Sequence, residues 1–182
     1  MLLRPFAAVA VIPALLAGQR ADKDSLNSAL LWRDSVSFFI TPPIGWSLNS
    51  VDGKDEGTLA VLYRRGESWQ TGLAVMYANM LDLPRANQAT LATKVDSEVA
   101  DWSRRAGDAT ITALADVVVE GHTVVLRKFV SPSHSAYEAV AYFWQPTAAP
   151  ILVLSARSEA EFQRAYPDFL RLVRSYGAGP KF

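Results

Sequence analysis

Phe38-Phe39-Ile40-Thr41-Pro42-Pro43-Ile44-Gly45-Trp46-Ser47-Leu48 (FFITPPIGWSL) carries one apolar strand into a proline–glycine corner and out again as a second strand. Pro42 and Pro43 fix φ and offer no backbone donor, so Phe38–Ile40 cannot run on through them as a central strand. Gly45 permits a backbone conformation that other residues resist, and Trp46 brings a large apolar surface to anchor the corner. The stretch is a signature of fold and names no reaction.

Downstream, Thr58–Tyr63 (TLAVLY) and Gly72–Tyr77 (GLAVMY) read as two strands of an antiparallel hairpin, joined through Arg64–Gln70. The charged, glycine-bounded VDGKDEG of Val51–Gly57 is a loop. From Gln88 to Arg105, Leu91, Val95, Val99 and Trp102 recur with helical spacing, which predicts an amphipathic helix closed by Gly107. Thr110–Val119 and His122–Val130 follow as strands around a tight Glu120-Gly121 turn. Ala136–Trp144 is apolar on both alternating faces, the pattern of a strand covered on each side. Pro146–Pro150 reads as a loop and Ile151–Ala156 as a further strand. Ser158 and Glu161 have capping-box spacing at the head of a last helix. Pro167 predicts a kink there, or a second helix starting at that residue. Gly177 and Gly179-Pro180 end it.

The order strands, helix, strands, helix predicts an α+β fold, a mostly antiparallel sheet with two main helices packed on it. Half of the 182 residues are hydrophobic and a fifth charged, enough for one domain with a sizeable core. Lys and Arg balance Asp and Glu at 18 each, and no basic excess points to nucleic acid. The absence of cysteine removes disulfides, thiol catalysis and thiolate metal sites.

Met1–Arg4 carries one positive charge, and Pro5–Ala17 is an apolar run of about a dozen residues. That length suits a signal-peptide core better than a membrane span of ~20 residues. Leu15-Leu16-Ala17-Gly18-Gln19 has the form of a bacterial lipoprotein signal with Gln19 where the lipidated cysteine would stand. The expected organisation is a signal peptide at 1–18, a polar leader at 19–36, the domain at 37–177 and a tail at 178–182. It implies a periplasmic or secreted protein without a transmembrane span after cleavage, with the cytoplasm as the alternative.

Three pieces in order carry a resemblance: the TPPIGW corner, the Val117–Gly121–Val125 hairpin, and the ending SEAEFQRAYPDFLRLVRSY. Together they resemble the PsbP-like superfamily across about Ser37–Gly177. That group includes the extrinsic PsbP subunit of photosystem II, the envelope lipoprotein DcrB and a yeast Ran-binding import factor. Its closing helix matches here at Phe162, Ala165, Pro167, Phe169, Leu172 or Val173, Ser175 and Tyr176. The resemblance implies a PsbP-like α/β/α sandwich. It also implies a non-catalytic binding or assembly module of the cell envelope with a protein or peptide partner. Type VI secretion adaptor chaperones, which hold hydrophobic helices of effectors, share the fold and supply the alternative role. Because the matching residues serve packing, the fold is implied more directly than any activity.

Chemistry-bearing motifs are sparse, and no catalytic, cofactor-binding or metal-ligating residue is expected. The two histidines are His122, in a strand, and His134, after Ser131-Pro132-Ser133. A small hydrolase built on that neighbourhood would need a base within reach of a nucleophile and a group to orient the base. There is no nucleophile elbow, zinc-binding helix motif or phosphate-cradling glycine loop. Asp52–Glu56 lacks the ligand spacing of a calcium loop. Aromatic residues offer a binding surface instead: Trp69 in the hairpin loop, and Tyr137, Tyr142 or Trp144 along a sheet face.

Overall fold

A computed structural model describes residues 9–10, 28–83 and 90–180. Among the described residues twelve strands follow one another as β1 Val9–Ala10, β2 Ala29–Arg33, β3 Val36–Ile40, β4 Trp46–Asn49, β5 Ala60–Arg64, β6 Ala74–Asp82, β7 Thr110–Ala113, β8 Val117–Val119, β9 His122–Ser131, β10 Ala136–Tyr142, β11 Ala148–Ala156 and β12 Gly177–Ala178. Helix α1, Leu91–Arg105, falls between β6 and β7, and α2, Glu159–Arg174, between β11 and β12. The large sheet has the order β4-β5-β6-β11-β10-β9-β7, with β8 also paired to β9; a small sheet runs β1-β2-β3-β12. Every pairing is antiparallel. The α+β class expected from the sequence is therefore the architecture of the molecule.

The two-residue period of the strands divides the large sheet into two packed faces. On one, Leu62, Met76, Ala78, Leu126, Ala139, Leu152 and Leu154 meet Phe162, Ala165, Phe169, Leu172 and Val173 of α2. Leu31, Phe38 and Ile40 of the small sheet join the same core. On the other, Phe129, Val140, Tyr142, Ile151 and Val153 pack against Val95, Leu91, Val99 and Trp102 of α1. Burying each large apolar side chain contributes about 1.5–3 kcal/mol, so the two helix faces hold the layers together.

The corner is a type II turn. Trp46 N–H donates to Pro43 O at 3.0 Å, and Gly45 supplies the positive φ of 84° that this turn demands at its third position. Two bonds strap it to α2: Trp46 Nε1 donates to Asp168 at 3.0 Å and Thr41 N–H to Ser175 Oγ at 2.9 Å. Helix α2 begins at Ser158, whose hydroxyl accepts from Glu161 N–H at 3.2 Å. The Glu161 carboxylate meets Arg164 at 3.2 Å.

Several boundaries differ from the sequence expectation. Helix α2 runs unbroken through Pro167. Pro167 and Gln163, whose carbonyl loses its helical donor, both lie on the solvent face, where water replaces the missing bond. The expected Pro146–Pro150 loop is shorter, because β11 already begins at Ala148. Pro150 enters it where the ladder to β10 is running out, its carbonyl still accepting from Phe143 N–H at 2.9 Å. Ordered structure also reaches into the expected leader: β2 buries Ala29, Leu30 and Leu31. Of the expected signal segment only Val9–Ala10 is among the described residues, paired with Leu31 and Leu30; the rest lies outside them. The expected tail likewise starts inside the fold. Ala178 is in β12, Gly179 N–H donates to Ser37 O at 2.9 Å, and Ser37 Oγ donates to Pro180 O at 2.6 Å. Among the described residues no helix is long and apolar enough to cross a membrane.

Candidate functional site

The α1 side of the large sheet carries a cleft of about 410 Å³, beside the part that α1 covers. Strand alternation builds its floor: Val75, Tyr77 and Asn79 project from β6, and Ser155 from β11 beside them. The loop between β5 and β6 supplies Trp69 as a wall, and the 3₁₀ turn Lys54–Glu56 supplies Glu56. Leu73 and Arg157 form the rim.

Trp69 stands edge-on to Tyr77, with ring centroids 6.0 Å apart and planes at 88°. This is the geometry favoured by the aromatic quadrupole. Its indole N–H is shared between the two carboxylate oxygens of Glu56, at 3.2 and 3.3 Å. The Arg157 guanidinium turns outward to donate to Gln70 O at 2.7 Å. Trp69 is thus held by Tyr77 and by Glu56, and it lines the cleft.

Polar groups continue inward from there. Ser155 Oγ donates to Glu138 Oε1 at 3.0 Å, across the direct pair of β10 and β11. Burial raises the Glu138 carboxyl above its ordinary pKa, against the Ser155 bond and the Arg105 charge, which lower it. The Tyr77 phenol is raised as well, first by burial, then by the charges of Glu138, Tyr142 and Glu56. Tyr63 on the neighbouring strand makes a useful contrast. Its hydroxyl donates to Asp52 at 3.2 Å and accepts from Asn49 at 3.2 Å, while the Tyr77 hydroxyl has no hydrogen-bond partner among the described residues.

Of the residues singled out from the sequence, Trp69 lies in this cleft and the other three do not join it. Tyr137 and Tyr142 are five apart on one strand and face opposite sides of the sheet. Tyr137 packs toward the α2 core, and Tyr142 is buried at 2% exposure beneath α1. Trp144 lies past the end of β10 and is 60% exposed. The aromatic surface shared by Tyr137, Tyr142 and Trp144 is therefore not formed. Glu56, Tyr77, Asn79 and Ser155 are cleft residues that sequence reasoning missed, with Glu138 behind Ser155. The alternation of β6, with Tyr77 and Asn79 polar on one face and Met76, Ala78 and Met80 apolar on the other, was the available signal.

The His134 neighbourhood does bring a serine, a histidine and an aspartate together, in an order unsuited to hydrolysis. Ser131 Oγ donates to Asp108 and lies 2.7 Å from His134 Nδ1, the same nitrogen that Ser133 Oγ approaches at 3.0 Å. A nucleophile–base–acid relay needs serine and acid on opposite ring nitrogens. Here the acid bonds the serine itself, and Ser131 is fully buried. Asp108 also accepts from Ser133 N–H at 2.9 Å, and these bonds lower its pKa to about 2. The cluster fastens the 3₁₀ turn Pro132–His134 to the loop before β7. Among the described residues no three His, Asp or Glu side chains gather as metal ligands would.

The sheet order, the corner and the two covering helices define a PsbP-like α/β/α sandwich. The solution structure of cyanobacterial PsbP (CyanoP) from Synechocystis sp. PCC 6803 is similar to this chain with a TM-score of 0.52 at 13% sequence identity. The match covers 78% of this chain and 86% of that one. No protein-family model matches the sequence. No curated protein matches it either.

Proposed function

We propose that the protein is a non-catalytic binding or assembly module that holds a protein or peptide partner in the Trp69 cleft. The observation that carries this reading is Trp69 itself. A large aromatic side chain in a surface loop is fixed by Tyr77 and Glu56 and lines the cleft. Rigid aromatic anchors beside a concavity are what partner-binding surfaces use, since little side-chain freedom remains to be lost on binding. The PsbP-like fold supports the reading, as a scaffold whose expected role is association. The apolar run after Arg4, read as an export signal, supports a place in the cell envelope.

The test is affinity purification of the tagged full chain from separated cell fractions, beside a Trp69→Ala variant. The reading expects a partner recovered from the envelope fraction by the unaltered chain and lost with the variant. Recovery of the same partner by both proteins would remove the cleft from the account. Recovery of a hydrophobic-helix client from the cytoplasm alone would favour the adaptor role.

A further inference from the structure

One edge of the small sheet is closed by a borrowed piece of chain. Strand β2 lies between β3 and β1, and β1 is only Val9–Ala10, paired antiparallel with Leu31 and Leu30. The β2 residues at that edge are apolar and packed: Ala29, Leu30 and Leu31 are 2%, 6% and 0% exposed. A sheet edge presents a row of unpaired N–H and C=O groups, and folded proteins guard it with charge, proline or a bulge. Ala29–Trp32 carries neither charge nor proline, and its register with β3 runs without a bulge. The first charge is Arg33, whose guanidinium is drawn off to Met80 O at 2.9 Å and the Asp82 carboxylate at 2.6 Å.

The opposite edge of the same sheet is guarded. Strand β12 is two residues long, Gly179-Pro180 follow it, and Ala178 N–H donates to Glu120 Oε2 at 3.2 Å. At the β2 edge the only cover among the described residues is β1. Val9–Ala10 belongs to Pro5–Ala17, the apolar run read as an export signal, and cleavage after Gly18 would take it away. The residues of the two helix-covered cores run from Ala29 to Tyr176. Losing β1 therefore bares an edge and takes no described side chain from either core.

We infer that the β2 edge is a binding site for an extended apolar strand of a partner protein, filled in the full chain by Val9–Ala10. The β1 pairing shows what the edge accepts, an uncharged strand of small and β-branched residues running antiparallel to β2. Main-chain hydrogen bonds to a bared edge give such a strand its affinity, and alternate side chains give it selectivity. The site is separate from the Trp69 cleft, which no β2 residue lines. The departure of β1 rests on the export reading.

The experiment frees the edge within the full chain by Val9→Asp and Ala10→Asp together, with Ala10→Pro as a smaller change at the same strand. Each protein is titrated with acetyl-Ala-Ala-Val-Ala-Val-Ile-Lys-Lys-amide, which repeats residues 7–12 ahead of two solubilising lysines. NMR follows the backbone amides of Leu30 and Leu31, while the Trp46 and Trp102 indole resonances report an intact fold. Saturable shifts at Leu30 and Leu31 are expected in both variants. Binding should be weaker by about 10-fold or more in the unaltered chain, where β1 competes. The counterpart peptide with aspartate in place of its central Val-Ala pair should not bind. Equal affinity in altered and unaltered chains overturns the inference. So do unshifted Leu30 and Leu31 amides at millimolar peptide, or equal binding of the aspartate peptide. Mass spectrometry of the chain recovered from cells should find residues 1–18 removed. Recovery with Met1 intact overturns the exchange of strands and leaves the Trp69 cleft to its own test.

Discussion

Replacing Pro167 by alanine should make the protein more stable. Pro167 is an interior residue of α2 and removes the donor that would satisfy the Gln163 carbonyl. In a regular helix proline costs about 3 kcal/mol relative to alanine, from the missing bond and the ring's clash with the preceding turn. Here both residues face solvent, so water already satisfies part of that carbonyl. The buried stripe of Phe162, Ala165, Phe169, Leu172 and Val173 lies on the opposite side and is untouched by the change. A gain of about 2 kcal/mol follows, or a rise in Tm of about 4–8 °C for a chain of this size. Urea unfolding followed by circular dichroism reads the change as a shift in midpoint at constant m. Equal or lower stability of Pro167→Ala would refute the reasoning. It would mean that the ring makes contacts outweighing the restored bond.

Gly179→Ala should destabilise by about 1–3 kcal/mol, because its Cβ would lie 2.8 Å from the Ser37 backbone carbon, an atom with no freedom to move aside. Gly45→Ala, where the Cβ meets open space but φ is +84°, should cost only about 1 kcal/mol; thermal melts of the pair separate crowding from backbone strain. Asp108, with its folded pKa lowered to about 2, contributes stability above its unfolded pKa that is lost as pH falls through the folded value. Asp108→Asn should therefore blunt the acid limb of the stability–pH curve below pH ~4. Glu138 has the opposite sign: its raised pKa favours the fold at low pH, and that contribution is lost as pH rises through the folded value. Glu138→Gln should be the more stable protein at neutral pH by chemical denaturation.

The helices and most strands were legible because their periods of 3.6 and 2 leave a direct imprint on residue order. Leu91, Val95, Val99 and Trp102 locate α1, and the Val117–Val125 hairpin turns where Glu120-Gly121 stands. The departures occur where a tertiary partner outweighs a local rule. Pro167 is tolerated because the packed face of α2 is the far one, and β12, two residues long, does not declare itself without β3 beside it. The cleft was legible only at Trp69. Tyr77 and Ser155 come together through the lateral pairing of β6 and β11, and Glu56 reaches them from the 3₁₀ turn, which no single segment encodes. The period of two alone already separates Tyr137 from Tyr142.

In the small sheet, β3 lies between β2 near the start of the chain and β12 near its end. Ser37 and Pro180 bond across 143 positions of sequence. During synthesis, then, Phe38 has no Tyr176 ring to stack on, and the corner has no Asp168 or Ser175 to hold it, until α2 has been made. Such non-local closure slows folding. The nascent domain must keep its aromatic seam unpaired until α2 and β12 arrive, and Ser175–Pro180 act as the latch that turns a loose sheet into a finished one.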